Sequence, residues 1–218
     1  MMPEASRTYL AVHPALVRLW HWINVVAMVI MIMSGWRIYN ASPVFPPFRF
    51  PDAVTLGGWL GGALQWHFAA MWLLMANFAV YLVYGFWSGH FRRVFLPVTP
   101  DAVLNDLRLA LQFKLPHSTG SYNAVQRFAY VGVLSAIVFT ILAGLAVWKP
   151  VQFHELAWLM GGYDGARVVH FLGMTAIVAF IVIHLALVLI VPSTLLPMVT
   201  GKASLATHPG HPAKEQST

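Results

Sequence analysis

The sequence predicts an all-α membrane protein: a four-helix transmembrane bundle with both termini cytoplasmic and a short amphipathic helix in the second loop. Three observations carry that expectation. Uncharged runs long enough to cross a bilayer as helices recur four times along the chain. The composition is 59% hydrophobic and only 9% charged, a balance foreign to a soluble domain of 218 residues. Ionisable side chains inside the runs are few and are histidines, and such groups are costly in a bilayer unless they face the bundle interior and serve a function there.

Residues 1–16 are short and mixed, with no small-residue cleavage site beside a short apolar core, so no removable signal peptide is expected. The first span is expected at about 17–39, with His21 one turn inside it in the string RLWHWIN and Trp20 and Trp22 as interface-type neighbours. Pro43, Pro46, Pro47 and Pro51 make the next stretch, 40–56, a stiff loop rather than a helix. A second span at about 59–87 lies in the charge-free stretch between Asp52 and Arg92, with His67 near its start.

The connection from Ser88 to Ser121 is polar. Within it, Thr99-Pro100-Asp101 combines a hydroxyl cap, a first-turn proline and a carboxylate at the positive end of the helix dipole. Val103, Leu104, Leu107 and Leu111 then give a short amphipathic helix suited to the membrane surface. The third span is expected at about 122–148 and, after a short loop, the fourth at about 166–191. Residues 1–200 are thus one membrane domain, and 201–218 are expected to be a disordered tail. The chain has no cysteine, which excludes disulfides, iron–sulfur clusters, c-type haem attachment and thiolate metal sites within it. The net charge of +6 is spread over the loops and reads as a topology signal, so no nucleic-acid partner is expected.

Lysine and arginine set the orientation. With the N-terminus inside, only Arg37, Arg49, Lys149 and Arg167 fall outside, and the other nine of the 13 fall inside. Every histidine then has a depth. His21 lies near the inner face and His67 near the outer. In the fourth span His170 is outer and His184 inner, on one helix face and roughly 21 Å apart along the axis. The four sort into two depth-matched pairs, His21 with His184 and His67 with His170. A haem iron takes one imidazole above and one below the ring, and facing helices can supply them, so the pairs are candidate axial ligands of two haems. A zinc site would instead gather its ligands at one depth. Arg18 and Arg167 each stand three residues before a paired histidine, as partners for a haem propionate or as anchors of a helix end. His13, His90, His117, His154, His208 and His211 fall in loops or tails and read as solvated. Asn123 and Gln126, at the inner end of the third helix, read either as amide hydrogen-bond donors to a bound carbonyl or as ordinary N-terminal helix polarity.

RLWHWIN, an early histidine in the second span, and two histidines fourteen apart in the fourth resemble the bacterial di-haem cytochrome b561 superfamily. The string Tyr122-Asn123-Ala124-Val125-Gln126-Arg127 is similar to one that opens the third helix in the cytochrome b membrane subunits of Ni/Fe-hydrogenase, formate dehydrogenase and thiosulfate reductase, with Val125 where those have glycine. The resemblance covers about 12–191. It implies two haems b in a multi-pass protein of the bacterial inner membrane, carrying electrons between a periplasmic redox subunit (molybdopterin, iron–sulfur or hydrogenase type) and a membrane quinone. It also places the quinone beside the inner haem, near Asn123 and His184. Two other classes stay open: a stand-alone superoxide:quinone oxidoreductase, which a relative in the superfamily exemplifies, and a transporter with intramembrane histidines as proton relays. The long outer loops favour a docked partner over the stand-alone enzyme.

Overall fold

A computed structural model describes residues 8–11, 14–112, 114 and 123–205. In chain order the elements are β1 (Thr8–Ala11), α1 (Ala15–Ala41), α2 (Leu60–Trp87), α3 (His90–Phe95), α4 (Pro100–Leu111), α5 (Ala124–Trp148), α6 (His154–Leu159), α7 (Gly162–Ile190), α8 (Leu195–Thr200) and β2 (Lys202–Leu205). Among the described residues, α1, α2, α5 and α7 are the four helices long and apolar enough to span a membrane. Most of their surface faces outward and is apolar, as hydrocarbon surroundings require.

The spans pack as two antiparallel hairpins. Backbones approach most closely within α1/α2 and within α5/α7. Small residues permit that approach: Ala27, Ala63 and Ala70 are buried in the first hairpin, and Ala143, Ala146 and Ala166 in the second. We label the end of the bundle that carries the start of α1 inner and the opposite end outer. At the inner end, buried Asn77 of α2 donates to the Trp20 carbonyl at 3.2 Å and to Asn24 Oδ1 at 2.9 Å. Trp20 meets Tyr81 and Tyr84 edge-on, at centroid distances of 5.7 and 5.0 Å. Between the hairpins the contacts are made by side chains. Tyr39 stacks on Phe171 at 4.8 Å, Phe68 meets Trp148 at 5.3 Å, and imidazoles face one another at two levels.

The proline-rich segment is a loop whose one regular turn is a 3-10 turn at Asp52–Val54. It is pinned to the outer end of α1, where Leu56 N–H donates to the Met33 carbonyl at 3.0 Å and the Asn40 amide bonds both backbone groups of Phe50. Arg37 pairs with Asp52 and reaches the Gly58 carbonyl. The helix expected after Thr99 forms as α4, with Thr99 Oγ1 accepting from Ala102 N–H at 3.4 Å. Asp106 of α4 accepts the Ala124 N–H at 2.8 Å and so ties α4 to the start of α5.

Three expectations are corrected. The polar second connection also contains α3, whose Phe91 and Phe95 meet Tyr81 and Tyr130, and the short third loop contains α6, whose Ala157 is buried with Ala146 and Ala166. His90 is not solvated: it opens α3, half-buried, with its ring about 6 Å from those of Tyr84 and Phe95. The tail begins with order rather than disorder, since β2 pairs antiparallel with β1, Thr8 opposite Leu205 and Ala11 opposite Lys202. That sheet brings both ends of the described chain to one end of the bundle. Residues 206–218, with His208 and His211, and also His13, His117 and Tyr122, lie outside the described residues.

Gly173 of α7 marks the tightest seam of the second hairpin, where an added Cβ would stand 2.1 Å from Thr140 Oγ1. Gly173→Ala should lower stability in detergent by about 1–3 kcal/mol through overpacking. Adding Thr140→Ala should return most of that loss, measured as a double-mutant cycle of thermal unfolding midpoints.

Candidate functional site

Each of the two imidazole levels is built from one histidine of the first hairpin and one of α7. At one level His21 of α1 faces His184 of α7, with ring centroids 6.2 Å apart and planes at 64°. At the other, His67 of α2 faces His170 of α7 at 6.3 Å and 69°. The rings are therefore not stacked on each other. A metal–imidazole bond is about 2 Å long and a five-membered ring's centre lies about 1.2 Å behind its nitrogen, so two imidazoles on opposite sides of one metal ion stand about 6.4 Å apart. Both separations fit that span. Among the described residues no three His, Asp or Glu side chains gather into a metal-binding group, so the donors come in pairs, as an axially ligated haem uses them.

The outer pair has its ring orientation fixed from behind. His170 Nδ1 lies 2.9 Å from the Thr140 carbonyl, which can only accept, so Nδ1 carries the hydrogen and Nε2 keeps its lone pair. His67 Nδ1 lies 3.0 Å from the hydroxyl of fully buried Ser34. That hydroxyl gives its own hydrogen to the Ile30 carbonyl at 2.6 Å, so it accepts from His67 and leaves the same nitrogen, Nε2, as donor to a metal. Each bond runs to the other helix of the histidine's own hairpin, as ligand-orienting partners do. Glycines clear the space beside the rings: a Cβ on Gly144 would stand 3.0 Å from His170 Cε1, and one on Gly35 3.4 Å from His67 Cε1. At the inner level, His184 stacks on Phe180 one turn earlier, at 5.9 Å and 8°, and His21 meets Trp22 edge-on at 5.3 Å.

The candidate arginines are engaged at helix ends. Arg18 donates from Nη1 to the Val199 carbonyl of α8, and Trp22 Nε1 reaches the Met198 carbonyl at 3.3 Å. Arg167 donates to the backbone and hydroxyl of Ser42 and lies 3.5 Å from Asp164. Anchoring is thus what both visibly do. Yet two buried N–H groups lack an acceptor among the described residues, Arg18 Nε at the inner end of α1 and Trp36 Nε1 at the outer end. One orphaned donor at each level is what an anionic group on a cofactor would satisfy.

Asn123 and Gln126 form a reciprocal capping box on α5. Asn123 Oδ1 accepts from Gln126 N–H at 2.8 Å, and Gln126 Oε1 accepts from Asn123 N–H at 3.1 Å. The box occupies the amide oxygens and makes no use of the two NH2 groups. Of the remaining histidines, exposed His154 opens α6. At the outer end a cavity of about 570 Å³ is lined by Arg37, Asn40, Arg49, Asp52 and Trp59 among others.

Reading the sequence did not single out Ser34, Gly35, Thr140 or Gly144. A positional signal existed for three of them: Gly35 stands fourteen residues after His21, on the same helix face, and Thr140 and Gly144 stand four apart on α5. The carbonyl role of Thr140 has no sequence signal, because any residue supplies that atom.

The profile of the prokaryotic cytochrome b561 family matches residues 12–201. The chain is 52% identical over 197 residues to a putative protein-methionine-sulfoxide reductase subunit, YedZ1, of Azospira oryzae, covering 90% of this chain and 99% of that one. It is 28% identical over 191 residues to a probable Ni/Fe-hydrogenase B-type cytochrome subunit of Cupriavidus necator, covering 79% and 76% of the two chains. A subunit of the same description from Azotobacter chroococcum is 26% identical over 200 residues, covering 84% and 81%. With a family match that runs from ahead of the first span to just past α8, and a relative identical at more than half of its aligned positions, this chain belongs to the prokaryotic cytochrome b561 family.

Proposed function

We propose that this b-type cytochrome, a multi-pass membrane protein, carries electrons across the bacterial inner membrane between the quinone pool and a periplasmic oxidoreductase subunit, through two haems b. The observation that carries this reading is the pair of facing imidazoles at each of two levels, 6.2 and 6.3 Å apart. His21 and His184 would hold one haem, and His67 and His170 the other. When bound, a bis-imidazole haem supplies an iron that gains and loses one electron without exchanging ligands.

The chain's own residues do the rest. The Thr140 carbonyl and the Ser34 hydroxyl hold His170 and His67 in the tautomer that presents Nε2. Gly144 and Gly35 leave room beside those rings. The apolar spans exclude water, and α7 ties the two levels together by supplying one histidine to each. At the inner end, the NH2 groups of Asn123 and Gln126, which the capping box does not use, are suited to a quinone carbonyl.

The relatives' printed descriptions as subunits favour a docked partner over a stand-alone superoxide-oxidising enzyme. The more similar relative is described as a putative protein-methionine-sulfoxide reductase subunit, and a partner of that class fits this chain. Reducing a sulfoxide to a thioether consumes two electrons and two protons and releases water, so electrons would run from quinol at the inner end to the partner at the outer end.

The purified chain should hold two low-spin haems b by pyridine haemochrome assay and optical spectrum. His67→Ala and His170→Ala should remove one spectral component, and His21→Ala and His184→Ala the other; one haem per chain, or a His67/His21 pairing, would sink the proposal. Asn123→Asp keeps the capping oxygen but loses the NH2 donor, whereas Asn123→Ala loses both. If the amide serves the quinone, both variants should slow quinol oxidation about fivefold, the equivalent of about 1 kcal/mol, with haem content unchanged. A wild-type rate in Asn123→Asp would leave Asn123 a helix cap alone. Finally, purification in mild detergent should retain a periplasmic reductase that oxidises quinol only when methionine sulfoxide is supplied; a co-purifying hydrogenase would reverse the direction of flow.

A further inference from the structure

We propose that Ser34 is a positioning residue that sets the reduction potential of the outer site through His67. The inference rests on the di-haem reading and extends it to a residue outside the ligand set. Ser34 is the one hydroxyl that meets an imidazole of either pair in the described hydrogen bonds, and it is fully buried in the middle of an apolar span. A buried hydroxyl in hydrocarbon must be satisfied, and donation to the Ile30 carbonyl at 2.6 Å does that without any histidine. The bond to His67 Nδ1 at 3.0 Å is therefore additional. It makes a directed chain in which His67 N–H donates to Ser34 Oγ and Ser34 O–H donates to the Ile30 carbonyl. Each bond in such a chain polarises the next. The chain pulls electron density toward Nε2, which raises the basicity of His67 and stabilises the more positive state of a metal bound there.

The two outer imidazoles are thus supported unequally. His170 leans on a backbone carbonyl alone, whereas His67 leans on the backbone of Met31 and also on the Ser34 hydroxyl, a side chain that one substitution removes. Gly35, next to Ser34, clears space for the same His67 ring, so consecutive residues of α1 set both its position and its hydrogen bond. Ser34 is accordingly the handle by which the outer potential can be changed without touching a ligand.

The test is Ser34→Ala in the full-length protein, with haem count, potentiometric titration of the two optical components and electron paramagnetic resonance of the oxidised state. Ala removes the hydroxyl acceptor and little volume, and leaves His67 the Met31 carbonyl alone. We expect two haems, an outer potential shifted upward, a displaced outer low-spin signal as the imidazole rotates, and an unchanged inner site. Ser34→Thr should bring both outer values back, and Ser34→Cys, a weaker acceptor of similar shape, part of the way. Loss of the outer haem alone in Ser34→Ala, restored in Ser34→Thr, supports the same role in stronger form. An outer potential and signal equal to wild type, equal shifts at both sites, or no recovery with either Thr or Cys would overturn the proposal. A wild-type count of one haem per chain would instead overturn the di-haem reading, and this inference with it.

Discussion

An imidazole inside an apolar bundle must have both its nitrogens accounted for, and much of this structure follows from that requirement. Water is absent from the hydrocarbon layer, so the polar atoms of four rings have to be met by protein or by a bound group. The outer rings meet half of the requirement with Nδ1, through Thr140 and Ser34. On the proposed reading, a metal between the facing outer rings meets the Nε2 atom of each. That reading accounts for two hairpins that touch through side chains and not through closely packed backbones. A bundle that closed fully on itself would bring the rings too near for a shared ligand.

The division of labour between helices follows from the same requirement. α7 supplies a histidine at each level, α1 and α2 supply one apiece, and α5 supplies none. What α5 contributes instead is backbone and empty space: the Thr140 carbonyl behind His170 and the missing side chain of Gly144 beside it. α1 does both jobs, presenting His21 at one level and Ser34 with Gly35 at the other. Because Thr140 carries both a carbonyl to His170 and a side chain against Gly173, packing of the second hairpin and the pose of its outer histidine are coupled.

The ends of the bundle are finished by different means. At one end the β1–β2 ribbon, the Arg18 bond to α8 and the Asp106 cap on α5 bind short segments to helix termini. At the other, the proline-rich loop is held by Arg37, Asn40 and an aromatic cluster in which Phe50 stacks on Trp36 at 4.6 Å and Phe171 stacks on Tyr39 at 4.8 Å. Phe45 of the loop meets Phe171 edge-on at 5.5 Å, and Phe171 adjoins His170 in sequence, so the loop packs beside the helix turn that carries an outer histidine.

The sequence by itself determined the four spans to within a few residues and the membership of each histidine pair. Both are periodic or depth properties, and helix rise and the charge-free length of each span set them almost without reference to neighbours. It also marked the start of α4 and the polarity of Asn123 and Gln126, because capping acts within one turn. Tertiary structure decided what those amides do first, which is to cap α5, and that Arg18 and Arg167 reach Val199 and Ser42. It decided that His90 belongs to an aromatic cluster and that the first residues of the tail return to pair with β1. It alone revealed Ser34 and the Thr140 carbonyl behind the outer histidines. A serine in an apolar helix satisfies itself on its own backbone in most settings, and a carbonyl carries no residue signature. Only the crossing of α1 over α2, and of α5 over α7, brings either within hydrogen-bonding distance of a ring.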